Sequence, residues 1–183
     1  SDLIVPNPRD SNVHEGVKMY REHKCDGIVT VGGGSPMDCA KGIGIVVSNM
    51  GTILDYEGVD KIRYPLPPLI CIPTTAGTSA DVSQFAIIND TTRKVKIAIV
   101  SKSIVPDVSL IDPEVTLSMD ASLSIYTGLD ALTHAFEAYV SNANSGITDL
   151  YALESIALLY HNLPKVVARP YDIEARSSVM MAS

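Results

Sequence analysis

Two short apolar runs rich in β-branched residues, residues 27–31 (Gly-Ile-Val-Thr-Val) and 69–72 (Leu-Ile-Cys-Ile), read as strands buried in a parallel sheet. The first run leads into Gly32, Gly33 and Gly34 and then Ser35-Pro-Met-Asp38. That order predicts a helix with Ser35 at the N-cap, Pro36 at the first helical position and Asp38 closing a capping box. Ala40, Ile43, Val46 and Val47 then fall on its inward face. An earlier helix is expected from Ser11 or Asn12 to about His23, with Val13, Val17 and Tyr20 on one face. Residues 3–5 (Leu-Ile-Val) read as a short strand, and residues 52–68 as a loop-rich segment. Residues 85–88 and 94–100 flank Asn89-Asp-Thr-Thr-Arg93, the pattern of an antiparallel hairpin. A further strand spans residues 108–111 and stops at Asp112-Pro113. From there helical spacing takes over. One amphipathic helix is predicted over residues 150–163, ended by Pro164, and another over residues 173–183. The change of pattern puts a domain boundary between Pro113 and Thr116, giving an α/β part over 1–115 and a helical part over 116–183.

Composition narrows the function classes. Of 183 residues, 46% are hydrophobic, enough for a real core in one domain or parts of two. A net charge of −7 argues against nucleic acid or an anionic membrane surface as partner. Trp is absent and aromatic residues make up only 5%, so large stacking platforms are not available. Cys25, Cys39 and Cys71 have no C-x-x-C spacing and read as reduced thiols, which points to the cytoplasm. No apolar run reaches membrane-spanning length, and no signal-peptide pattern opens the chain.

Three stretches carry chemistry. At Gly32–Gly34, backbone N–H groups can approach an anion closely at a helix N-terminus, an arrangement suited to a pyrophosphate; a tight turn with a good cap is the alternative reading. Pro73-Thr-Thr-Ala-Gly-Thr78 gathers hydroxyls at the carboxyl end of a buried strand, where open α/β sheets place ligands. In the helical part, Asp130, His134 and Glu137 share one helical face. A carboxylate and an imidazole one turn apart can hold a divalent metal, and equally can form a surface pair. His14 and His23 fall on a charged helix and read as solvent-exposed; His161 has no partner at ligand spacing and reads as structural.

Taken together, Gly32-Gly-Gly-Ser-Pro-Met-Asp38, Pro73-Thr-Thr-Ala-Gly-Thr78 and Thr127-Gly-Leu-Asp-Ala-Leu-Thr-His-Ala135 resemble, in order and spacing, the iron-containing (group III) alcohol dehydrogenases. The connecting text matches as well, at Val5-Pro-Asn-Pro8, Leu110-Ile-Asp-Pro113 and Glu137-Ala-Tyr-Val-Ser141. The resemblance implies an α/β fold, a Rossmann-like dinucleotide-binding domain followed by an all-helical metal-binding domain, in the dehydroquinate synthase-like architecture. It implies that Gly32, Gly33, Gly34, Ser35 and Asp38 hold the NAD or NADP pyrophosphate and its neighbourhood. Thr74, Thr75 and Thr78 would line the nicotinamide side, with Lys96 a candidate ribose contact. Asp130 and His134 would be two of four metal ligands and the catalytic pair, with Fe²⁺ or Zn²⁺ as the metal. The implied reaction is reversible oxidation of a primary alcohol or diol to an aldehyde or ketone. Its partners would be a small-molecule alcohol or aldehyde and further copies of the chain, as a homodimer or higher homo-oligomer.

Departures from the family pattern accompany the match. The threonine loop usually continues Gly-Thr-Gly-Ser-Glu, and here it reads Gly77-Thr-Ser-Ala-Asp81. Asp120 stands where a proline is usual before the third motif. Family members are about twice as long, so the chain reads as a fragment lacking the first strand region and most of the helical domain. Two other readings remain open: a glycerol-dehydrogenase-like or dehydroquinate-synthase-like relative, and a non-catalytic nucleotide-binding fragment.

Overall fold

The computed structural model describes residues 6–183, so the strand expected over residues 3–5 lies outside the described residues. Two compact units make up the chain, one of Ser1–Ile72 with Ala80–Leu110, the other of Pro73–Ser79 with Ile111–Ser183.

The first unit is α/β. Helix α1 (Asp10–Glu22) buries Val13 and Val17, as its spacing predicts. Strand β1 (Ile28–Gly32) leads into helix α2 (Gly34–Ser48). Strand β2 is only Gly58–Val59; β3 spans Leu69–Pro73, β4 Phe85–Asp90, β5 Val95–Val100 and β6 Val108–Ser109. Two three-stranded sheets result, β1-β3-β6 and β2-β5-β4. β3 runs parallel to β6, with Cys71 opposite Ser109, and β2 runs parallel to β5. β4 and β5 form the expected antiparallel hairpin, in register from Phe85–Val100 to Asp90–Val95. At the turn β4 runs two residues further than the pattern suggested, to Asp90, whereas β5 starts one residue later, at Val95. The Asp90 carboxylate takes the backbone N–H groups of Thr92 and Arg93 and closes a tighter loop.

The apolar strands are not buried on both faces. Thr30 and Cys71 are inside, whereas Val29, Val31 and Ile70 are exposed, so β1 and β3 alternate like half-covered strands. Ile88, Ile97, Ile99 and Ile104 join Val13, Ile45, Val46 and Ile53 in one core cluster. Each such side chain contributes about 1.5–3 kcal/mol on burial. Met37, Ala40, Leu69, Cys71 and Ala80 form a second. All three cysteines are free, and burial pushes the Cys39 thiol up to about 12 and Cys71 to about 11, which makes both inert near neutral pH.

The second unit is helical: α3 (Ala121–Val140), α4 (Gly146–Ala168) and α5 (Ile173–Ala182). Asp120, the residue standing where the family usually has proline, caps α3 by accepting from the Leu123 N–H at 2.7 Å. Ser145 and Thr148 make a capping box for α4. Pro164 does not end α4; the helix runs through it to Ala168. An interior proline costs roughly 3 kcal/mol. Leu159 and Val166, buried on either side of it, offset that cost in the cluster shared with Ala131, Val179 and Met180. Arg176 on α5 is also buried, donating to the carbonyl oxygens of Pro170 at 2.6 Å and Met119 at 3.4 Å. No described helix is long and apolar enough to cross a membrane.

Candidate active site

Gly32 opens the turn between β1 and α2 with φ +151°, and a Cβ there would meet the Pro36 ring at 2.7 Å. A side chain at this position is therefore strained twice over. The helix cap falls on Gly33, not on the Ser35 that the sequence pattern favours. Gly33 takes the extended cap conformation without a side-chain hydrogen bond, and α2 begins at Gly34. Ser35 and Pro36 thus lie inside the first turn, and the Ser35 hydroxyl instead accepts from the Asn7 N–H at 3.0 Å. With no capping side chain, the first-turn amides are left to a ligand or solvent, the condition for an anion site at a helix start.

Asp38 is engaged elsewhere than the expected capping box. Its carboxylate accepts the backbone N–H of Ile87, and burial raises its pKa to about 6. One turn on, the fully buried Lys41 donates to the carbonyls of Ser83 at 2.8 Å and Phe85 at 2.9 Å and to the Ser83 hydroxyl at 3.2 Å. Among the described residues β4 is the outer strand of its sheet; on its outward edge the Asn89 N–H pairs with the Pro8 carbonyl, which leaves the Phe85 carbonyl and the Ile87 N–H in need of partners. Asp38 and Lys41 satisfy them and fasten α2 to that edge. Sequence reasoning missed Lys41, although a lone cation between Ala40 and Gly42 on an inward-facing stretch was a signal. Lys96 is exposed on β5, in the other sheet from the strand that carries the glycine turn.

In the second unit, Thr74 and Thr75 are half-buried, Thr78 is exposed, and Ala76 and Gly77 between them are buried. Ser79, where the family usually has glycine, sits in the left-handed region at φ +50°. Its hydroxyl donates to the Ser183 carbonyl at 2.7 Å. The loop meets α3. A Cβ on Gly77 would lie 2.5 Å from the Thr127 carbonyl oxygen, and the Gly77 carbonyl oxygen stands 3.2 Å from Nδ1 of His134. The Nε2 of His134 is 3.8 Å from Oδ1 of Asp130, both side chains being about half-exposed. That separation is too long for a hydrogen bond. Two donors about 2.1 Å from one tetrahedral ion stand roughly 3.4 Å apart, so a small side-chain rotation fits the pair to a divalent metal. Among the described residues, no group of three or more His, Cys, Asp or Glu could hold an ion, so this stretch supplies two donors. Glu137, on the same face in sequence, is exposed; His14, His23 and His161 are exposed too, with His161 edge-on to Tyr160.

This chain belongs to the iron-containing alcohol dehydrogenase family: residues 2–113 match the family model "Iron-containing alcohol dehydrogenase" and residues 124–183 its C-terminal counterpart. Among curated proteins it is similar to the NAD-dependent methanol dehydrogenase of Bacillus methanolicus, 44% identical over 177 residues, covering 97% of this chain and 46% of that protein. Among solved structures it is similar to a 1,3-propanediol oxidoreductase, with TM-score 0.98, 43% identity, and 100% of this chain against 48% of that one. It also matches sulfoacetaldehyde reductase from Bifidobacterium kashiwanohense in complex with NAD⁺, at TM-score 0.94 and 32% identity over 98% of this chain and 48% of that one. The chain spans about half the length of the relatives it matches. The fold is accordingly a Rossmann-like α/β unit followed by helices, in agreement with the fold expected from the sequence.

Proposed function

We propose that the protein is a metal-dependent, NAD(P)-linked alcohol dehydrogenase that interconverts a primary alcohol or diol and its aldehyde or ketone. The observation that carries this reading is the Asp130–His134 pair, presented on one helical face beside the threonine loop. Residues 1–115 serve as part of a dinucleotide-binding domain and residues 116–183 as the first part of a helical metal and substrate domain.

In this reading the amides at Gly32, Gly33, Gly34 and Ser35 hold the cofactor pyrophosphate against the start of α2. The hydroxyls of Thr74, Thr75 and Thr78 would orient the nicotinamide, which would supply the hydride acceptor. Asp38 keeps the start of α2 fixed while those amides bind, and Lys96 offers an exposed cation to the cofactor's ribose side. Asp130 and His134 would hold the metal together with donors outside this stretch; an iron or zinc ion there would supply a Lewis acid for the substrate oxygen. The NAD⁺ complex of the sulfoacetaldehyde reductase and the NAD-dependent methanol dehydrogenase support NAD as cofactor. A cytoplasmic, homodimeric or larger assembly of the intact protein completes the proposal.

The test is NADH formation by the intact polypeptide with a panel of short alcohols and diols, with Fe²⁺ or Zn²⁺ added. Asp130→Ala and His134→Ala should each abolish turnover while leaving NAD(H) affinity nearly unchanged. Absence of turnover across the panel, or equal loss of cofactor affinity in the two variants, would refute it.

A further inference from the structure

The contact between the Gly77 carbonyl and His134 bears on which ring nitrogen is free. A carbonyl oxygen only accepts, so a neutral imidazole 3.2 Å away through Nδ1 must carry its proton on that nitrogen. The other nitrogen, Nε2, is then a bare lone pair, and it is the one that faces Asp130. The loop cannot drift from this position easily. Gly77 is buried against α3 so tightly that a Cβ would overlap the Thr127 carbonyl oxygen at 2.5 Å and its Cβ at 3.0 Å. Thr127 and His134 are seven residues apart, two turns along the same face of α3, and the histidine side chain leans back toward the helix start. The loop that carries Thr74, Thr75 and Thr78 therefore lies along the face that carries the metal-ligand candidates.

We infer that Gly77 is a positioning residue: its missing side chain lets the loop lie on α3, and its carbonyl holds His134 in the Nδ1–H tautomer, with Nε2 aimed as the metal-binding atom. The inference rests on reading His134 and Asp130 as ligands. It adds that the threonine loop and the metal site are one mechanical piece, so displacing the loop alters metal affinity. Outer partners of a ligating histidine of this kind are worth roughly 10–100-fold in metal affinity.

The experiment uses the intact protein with ¹⁵N-labelled histidine, the His134 ring signals being assigned by their loss in His134→Asn. In the metal-free wild type at about pH 9, where imidazoles are neutral, the ring shifts should report the Nδ1–H tautomer. An Nε2–H tautomer overturns the inference. Added Zn²⁺ should move the Nε2 signal; an unmoved ring removes His134 from the ligand set, and the tautomer alone then judges the hold exerted by Gly77. Gly77→Ala should weaken Zn²⁺ binding about 10–100-fold and mix the two tautomers. Unchanged affinity together with an unchanged tautomer would overturn the inference. A variant that does not fold leaves the wild-type tautomer as the deciding result.

Discussion

Lys41 reaches from helix α2 to the Phe85 carbonyl at 2.9 Å, and it does so with no part of its side chain exposed to solvent. Burial drives the ammonium's pKa down, and the nearby Asp38, Cys71 and Asp81 act in the opposite direction. Such a cation persists only where every proton has an acceptor, and here Ser83, just before β4, and Phe85 at its start provide them.

Replacing Lys41 by Met keeps the stem but leaves the Ser83 and Phe85 carbonyls without a donor. A buried acceptor stripped of its partner costs about 1–3 kcal/mol. Lys41→Met should lower unfolding stability by on the order of 2–3 kcal/mol in urea titrations. A variant within about 0.5 kcal/mol of wild type would show that the edge contacts do not anchor α2.

The Asp38 carboxyl, raised to about 6 by burial, gives a pH dependence with a definite sign. Below about pH 3 the group is protonated in both folded and unfolded chains and costs nothing. As pH rises to about 6, the unfolded chain ionises freely while the folded chain resists, so stability falls. Asp38→Asn removes this titration. Between about pH 4 and 6, wild type should lose on the order of 2–3 kcal/mol relative to Asp38→Asn. Parallel stability curves for the two proteins over that interval would contradict the assignment.

Ser79 holds φ +50°, a conformation costly for any residue with a Cβ, and is compensated by its bond to the Ser183 carbonyl. Ser79→Ala loses the bond and keeps the strain, whereas Ser79→Gly loses both. The glycine variant should be the more stable of the two by about 0.5–1 kcal/mol, after allowing for the greater freedom of its unfolded chain. Thermal melts decide it. An alanine variant equal to or above the glycine variant would count against a strained position.

Gly32→Ala drives a Cβ into the Pro36 ring at a φ of +151°. The turn must shift, and with it the amides at the start of α2. NAD(H) affinity measured by calorimetry should fall at least about tenfold, equivalent to about 1.4 kcal/mol. Undiminished affinity in a folded variant would mean that the glycine turn does not contact the cofactor.

Periodic signals carry the local structure of this chain. Helix α1 and the β4–β5 hairpin follow from spacing and turn residues, since a 3.6-residue or 2-residue period is a property of the chain itself. The cap of α2 is not legible locally: Ser35, Pro36 and Asp38 make a good start signal, yet Gly33 adopts the cap geometry two residues earlier. Once it does, Asp38 and Ser35 are released for the Ile87 and Asn7 amides.

The amino-acid sequence by itself determined the order of the longer described elements, the three motifs and the family to which they belong. Tertiary structure decided the rest. Pro164 stays helical because Leu159 and Val166 are held on either side of it. Lys41 is buried because the carbonyls of Ser83 and Phe85 stand where its ammonium arrives. Nε2 of His134 is left free because the Gly77 carbonyl, 57 residues earlier in the chain, lies against the other ring nitrogen. Each is a pairing of groups far apart in sequence, and local propensity carries no information about a partner that only folding brings within hydrogen-bond distance.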